Sequence, residues 1–175
     1  RDSNGFIMNR AHNGLNNNSD TSLLTSVYLG QINTIDAGTA FSITGWFRPL
    51  DFTDNHFLGH SETDFIRFKS TTQLEIHANN AEDVFTISTL TADEWVHIGI
   101  VRNSSNLVTT YINGVAQANT QTVDEAFDYS SIGMRNQGAY KFRGAIDDFF
   151  IYNATELSAS QVKRNYNAGK RRHRN

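Results

Sequence analysis

Short runs of β-forming residues recur along the chain between turn residues, and one stretch alone shows helical spacing. Strands are predicted near Val27–Leu29, Phe41–Phe47, His56–His60, Phe65–Lys69, Leu74–Ala78, Val84–Thr89, Trp95–Arg102, Val108–Ile112, Ser131–Met134 and Ala145–Tyr152, with a further candidate at Gly5–Asn9. Spacing of this kind predicts an antiparallel sandwich or barrel. Over Phe41–Phe47, Phe41, Ile43 and Gly45 alternate with Ser42, Thr44 and Trp46. The Trp95–Val101 run is apolar on both faces, which predicts a central strand covered on both sides. Asn113-Gly114 after Ile112 predicts a two-residue hairpin, because a type I′ turn needs positive φ at both positions.

The helix is predicted over Ser158–Ala168. Ser158 caps the first amides, Gln161 closes a capping box, and Gly169 ends the helix as a residue free to turn left-handed. Leu157, Val162 and Tyr166 share a face and pin the helix to the sandwich. Beyond it, residues 170–175 read as a basic tail with no reason to be ordered. The domain therefore spans residues 1–169, with residues 1–25 an atypical Asn-, Ser- and Gly-rich opening segment.

Composition narrows the class. A chain of 175 residues fits one domain, and twelve Phe are too many for a disordered one. A formal net charge of -3 argues against specific nucleic-acid binding. The absence of cysteine excludes disulfides, thiolate nucleophiles and Cys-based zinc sites. No apolar run approaches the roughly 20 residues that span a bilayer. The chain opens on Arg1 with no visible signal peptide, so it is expected to be a processed product or a piece of a longer protein.

Three segments in chain order resemble the laminin-G-like group of the concanavalin A-like lectin/glucanase jelly rolls. They are Phe41-Ser-Ile-Thr-Gly-Trp-Phe-Arg-Pro49; Leu90 to Arg102 with the Thr110–Val115 hairpin; and Ile132-Gly133 with Phe142–Asn153 and the terminal helix. The resemblance implies an all-β fold: a two-sheet antiparallel jelly-roll sandwich of six or seven strands per sheet, with one short C-terminal helix. It also implies that N- and C-terminal strands lie side by side, placing Val27–Leu29 next to Ala145–Tyr152. Phe150 departs from the family pattern, which usually has a polar residue there.

Asp147 and Asp148 are the sharpest polar feature. By alternation Asp147 shares a face with Phe149 and Ile151, and Asp148 shares one with Ile146 and Phe150. A carboxylate in such company is paired, hydrogen-bonded or metal-bound. Calcium takes six to eight oxygens, which Asp and Asn supply. The resemblance implies calcium near this strand, with Asn18 and Asp20 as partners from the N-terminal segment. The alternative is a structural carboxylate that accepts backbone amides or pairs with arginine.

For ligand contact, sugar sites combine a flat aromatic with amide and carboxylate hydrogen-bonders on loops. Tyr140 and Asn136 fit that description, and Asn79, Asn80, Asp54 and Asn55 offer further polar contacts. The alternative is a polar loop covering a sheet edge. Glu62-Thr-Asp64 could be the remnant of a glycosidase carboxylate pair, but Arg67 stands where the second Glu is needed, and an arginine cannot serve as acid/base. His56 and His60, four apart in a strand, lie about 13 Å apart and cannot share one metal. His97 is read as structural, near Trp95.

The expected function is a non-catalytic module, binding carbohydrate at the sandwich rim with calcium as cofactor. The alternative is a structural or assembly module of a virion, fibre or cell-surface protein, working through protein contacts as a homo-oligomer. The expected partners are a glycan or a cell-surface or virion protein, at an extracellular, cell-surface or virion location. Arg171–Arg174 fits an R-x-x-R processing site, a solvated end or a basic arm; Asn17, Asn103 and Asn153 sit in N-x-S/T sequons.

Overall fold

The computed structural model describes residues 5–8, 27–136 and 139–174, with residues 5–8 and 139 described by their backbone. The strands run in chain order as β1 (Gly5–Met8), β2 (Val27–Ile35), β3 (Phe41–Pro49), β4 (Asn55–Gly59), β5 (Phe65–Ser70), β6 (Gln73–Ala78) and β7 (Ala81–Thr86). They continue as β8 (Val96–Arg102), β9 (Leu107–Ile112), β10 (Val115–Thr122), β11 (Phe127–Ile132), β12 (Met134–Asn136), β13 (Ala139–Lys141) and β14 (Gly144–Asn153), and helix α1 spans Ala159–Gly169. Two six-stranded antiparallel sheets form, ordered β1-β14-β3-β8-β9-β10 and β2-β11-β4-β5-β6-β7, with β12 and β13 as a separate small hairpin. This is the expected jelly-roll sandwich.

Alternation builds its core. Phe41, Ile43 and Phe47 of β3, with Ile98 and Ile100 of β8, face Phe57, Ile66, Phe68, Leu74 and Phe85 of the second sheet, all buried in one cluster. Phenylalanine fills its centre: the Phe47 ring lies 4.7 Å from Phe57, 5.7 Å from Phe68 and 6.0 Å from Phe149. The opposite face of the first sheet is covered too, because Val101 and Tyr111 pack against Leu157 and Val162 of the helical segment. Every residue of β8 is buried, as its two apolar faces predict. Asn113 (φ 52) and Gly114 (φ 72) form the expected hairpin turn between β9 and β10.

Three sequence expectations change. The strand beside β14 is β1, not Val27–Leu29; β2 pairs instead with β11 in the other sheet. The alternation read through Asp147–Ile151 breaks at a β-bulge between Asp147 and Phe150, where Asp148 takes φ 46. The inserted residue shifts the phase, so Ile146, Phe149 and Ile151 all enter the core. Asp147 thus shares no face with Phe149 or Ile151. The third change is at the helix end. The capping box at Ser158 and Gln161 forms as predicted, but Gly169 stays inside the helix and Lys170 follows with helical φ -51 and ψ -33.

Candidate functional site

Gly169 is small because it touches Trp46. A Cβ on it would collide with the Trp46 indole nitrogen. That approach lets residues 170–174 turn back onto the outer face of the first sheet rather than trail away as a loose tail. His173 is buried, with its ring stacked on Trp46 at 4.5 Å and 13° and edge-on to Trp95 at 4.5 Å. Its Nδ1 donates to the Gly169 carbonyl at 2.9 Å, and its Nε2 lies 3.0 Å from Asp147 Oδ2. Arg172 pairs with Asp148, and the Asp148 amide donates to Asp147 Oδ1 at 2.8 Å. The His173 hydrogen bond, outweighing partial burial, holds the Asp147 carboxyl below its ordinary range, with help from the Asp148 amide.

Asp147, Asp148 and His173 bring one ligand atom each within 4.8 Å of one another. As a calcium set these groups fit poorly. One donor is an imidazole nitrogen, one carboxylate is held by a guanidinium, and two carboxylates fall short of the six to eight oxygens calcium takes. The other two expected ligands, Asn18 and Asp20, lie outside the described residues, as does the Asn17 sequon.

Trp95 also borders a cleft of about 340 Å³ between the loop before β8 and the β9–β10 hairpin, lined among others by Thr91, Glu94, Asn113, Val115 and Gln117. Glu94 and Val115 are exposed and Trp95 is half-buried. One wall is tied to the other by Gln117, whose Oε1 accepts from the Ser88 amide at 2.8 Å and from its hydroxyl at 2.9 Å. Asn113 is fixed through its Oδ1, which accepts from the His97 amide at 3.0 Å. The cleft therefore offers an indole ring, a carboxylate, hydroxyls and amides, and the same indole touches His173.

The residues expected to bind ligand fall into separate places. Tyr140 (45% exposed) and Asn136 sit together on the β12–β13 hairpin. The Arg135 guanidinium lies 3.7 Å above the Tyr140 ring and the His56 ring 5.3 Å from it. Among the described residues, Asn136 Oδ1 is buried without a hydrogen-bond partner. Asp54 pairs with Arg67 at 2.6 Å. Asn55 is buried and its amide is spent: it donates to the Asp51 carbonyl at 2.7 Å and accepts from the Arg143 amide at 2.7 Å. Asn79 and Asn80, both at positive φ, make the β6–β7 turn, where their backbone amides donate to Asp64 Oδ1 and the Thr63 carbonyl.

The remaining candidates are each engaged by neighbouring groups. Glu62 is exposed on Arg135. Asp64 is buried, accepting from Ser61, Thr63 and the amides of Asn79 and Asp128. The two carboxyls are thus spent separately and make no acid pair. His56 is fully buried, donates from Nδ1 to the Asp54 carbonyl at 2.9 Å, and is held neutral because burial lowers its pKa to about 4. His97 packs on Trp46 at 5.4 Å and on Tyr166, its pKa lowered by burial to about 4. What sequence reasoning missed was His173 and the Trp95 cleft. The signal was there: Gly169 and His173 stand four apart at the helix end, and they meet Trp46 of β3 and Trp95 in the loop before β8.

Residues 20–163 match the laminin G-like family, described as the concanavalin A-like lectin/glucanases superfamily. No curated protein matches the chain by sequence. Among solved structures, it resembles one concerned with cell entry of botulinum neurotoxin type C, dependent upon interaction with two ganglioside molecules (17% identity, TM-score 0.54, 74% of this chain and 36% of that one). It also resembles the binding domain of botulinum neurotoxin DC in complex with rat synaptotagmin II (19%, 0.52, 74% and 36%). A third is the botulinum neurotoxin type G receptor binding domain (16%, 0.51, 83% and 46%). The chain spans less than half the length of each, and at such identity the likeness is one of fold. The match from residue 20 to residue 163, on a sandwich of this strand order, makes the chain a laminin G-like member of the concanavalin A-like lectin/glucanase superfamily.

Proposed function

We propose that this domain is a non-catalytic binding module that takes a saccharide in the cleft beside Trp95. The carrying observation is the half-buried indole in an open cleft of about 340 Å³ with an exposed carboxylate, Glu94, next to it. An indole face packs on the C–H side of a sugar ring while carboxylate, hydroxyl and amide groups take its hydroxyls. A cleft this open holds one or two sugar units, so binding is weak, with Kd near millimolar or about −4 kcal/mol. The separate engagement of Glu62 and Asp64 supports binding without turnover. Among the described residues no helix is long and apolar enough to cross a membrane. The neurotoxin neighbours, whose own descriptions name gangliosides and synaptotagmin, favour a cell-surface glycan or protein as partner.

A glycan array, followed by titration of the best hit, tests the proposal. Trp95→Ala and Glu94→Gln should each weaken binding about tenfold, the second without touching the core. An array blank at millimolar glycan, or binding unchanged in both variants, removes the saccharide reading. A second reading, assembly through β2, is favoured by Ile32 (55% exposed) and Tyr28 (46% exposed) on a strand that ends its sheet. It requires an oligomer in light scattering that Ile32→Glu dissociates.

A further inference from the structure

We propose that Asp147, Asp148 and His173 form a site for a divalent transition-metal ion of the zinc type, closed by the C-terminal segment. In a regular strand two successive carboxylates point to opposite faces. Here the bulge at Asp148 turns both toward His173, so that all three ligand atoms come within 4.8 Å of one another. The histidine is more than nine-tenths buried and aimed into the cluster. Its Nδ1 faces the Gly169 carbonyl, which only accepts, so that nitrogen carries hydrogen. Nε2 in turn faces Asp147 Oδ2, an acceptor, at 3.0 Å. Two acceptors held at that distance require a cation, either a proton or a metal ion. An imidazole whose Nδ1–H is fixed on a backbone carbonyl, with Nε2 free to coordinate, is the arrangement in which proteins orient metal-binding histidines.

Charge points the same way. In the structure described, Asp148 is matched by Arg172 and Asp147 by His173. One divalent ion supplies two positive charges from a single point, matching both carboxylates, and frees Arg172 to solvent. The donor set selects the metal. One imidazole and two carboxylates suit zinc and its first-row neighbours, whereas calcium prefers oxygen alone. Trp46 and Trp95 flank His173 and limit water around it. A bound ion would tie residues 170–174 to β14 and hold the His173 ring against Trp95.

The test is titration of zinc alone into the metal-stripped full chain, without saccharide, read by calorimetry and tryptophan fluorescence. Saturation at one ion per chain is expected, with Asp148→Asn weakening binding by about 10- to 100-fold and His173→Ala by more. Arg172→Ala should tighten zinc binding, because it removes the competing cation, although the same change loosens a purely structural cluster. Circular dichroism confirms that each variant is folded, and Asp148→Asn alone suffices if His173→Ala unfolds. No saturable zinc binding below about 1 mM, binding indifferent to Asp148→Asn, or calcium saturating where zinc does not would each overturn the proposal. Because no sugar is present, failure here leaves the cleft reading intact, and a blank glycan array leaves the metal reading intact.

Discussion

His56 shows how one buried ring sets a pH response. Its Nδ1–H is committed to the Asp54 carbonyl and burial depresses its pKa to about 4, against 6.5 for the free side chain. Unfolded chains therefore bind a proton here that the folded protein refuses. Stability is fully present above pH 6.5, declines as pH falls, and the loss is complete below about pH 4, for a total of about 3 kcal/mol. Thermal unfolding across this window should show the decline, to which His97, also depressed by burial to about 4, adds its own part, and His56→Gln should reduce it by about half; an unchanged slope would count against a neutral His56. Gly169 carries a second residue-scale effect. Gly169→Ala drives a methyl group into Trp46, and overpacking of this kind costs about 1–3 kcal/mol. Differential scanning calorimetry should find this loss even though alanine is the better helix former. The glycine was visible in the sequence, but its reason was not: it is demanded by an indole 123 positions away, not by a left-handed turn.

At the scale of elements, local chemistry and long-range contact part company. The capping box and the Asn113-Gly114 turn are written within four or five residues each, so both were legible and both formed. Ser158→Ala should cost about 1 kcal/mol of stability in chemical denaturation, because the Ser158 hydroxyl accepts from the Gln161 amide while the Gln161 side chain accepts from the Ser158 amide. Gly114→Val should cost more than Val115→Thr, since a β-branched residue resists the positive φ of that turn. The β14 bulge behaved differently. Nothing in Ile146–Ile151 marks an inserted residue, because Ile, Asp, Asp, Phe, Phe, Ile alternates tolerably in either phase. Pairing with β3, which commits Trp46 opposite Asp147 and Thr44 opposite Phe150, forces the extra residue out.

Across the whole molecule, the C-terminal segment binds helix to sheet. Residues 170–174 join α1, β14 and both tryptophans, through His173 to Asp147 and Arg172 to Asp148. Removal of residues 170–175 should lower Tm by several degrees, consistent with loss of one buried ring and one half-buried ion pair. It should also red-shift tryptophan emission as Trp46 and Trp95 meet water, and weaken saccharide binding by removing the His173 ring from Trp95. An emission spectrum identical to that of the full chain would show that the segment is not docked. The sequence by itself determined the sandwich, its terminal helix and most strand positions, because period-two alternation, turn residues and caps act between near neighbours. Only the tertiary structure decided where the carboxylates of β14 point, why Gly169 is glycine, and that a basic end folds back to bury a histidine. Those outcomes depend on what the opposing surface offers, and the local order of residues carries no record of it.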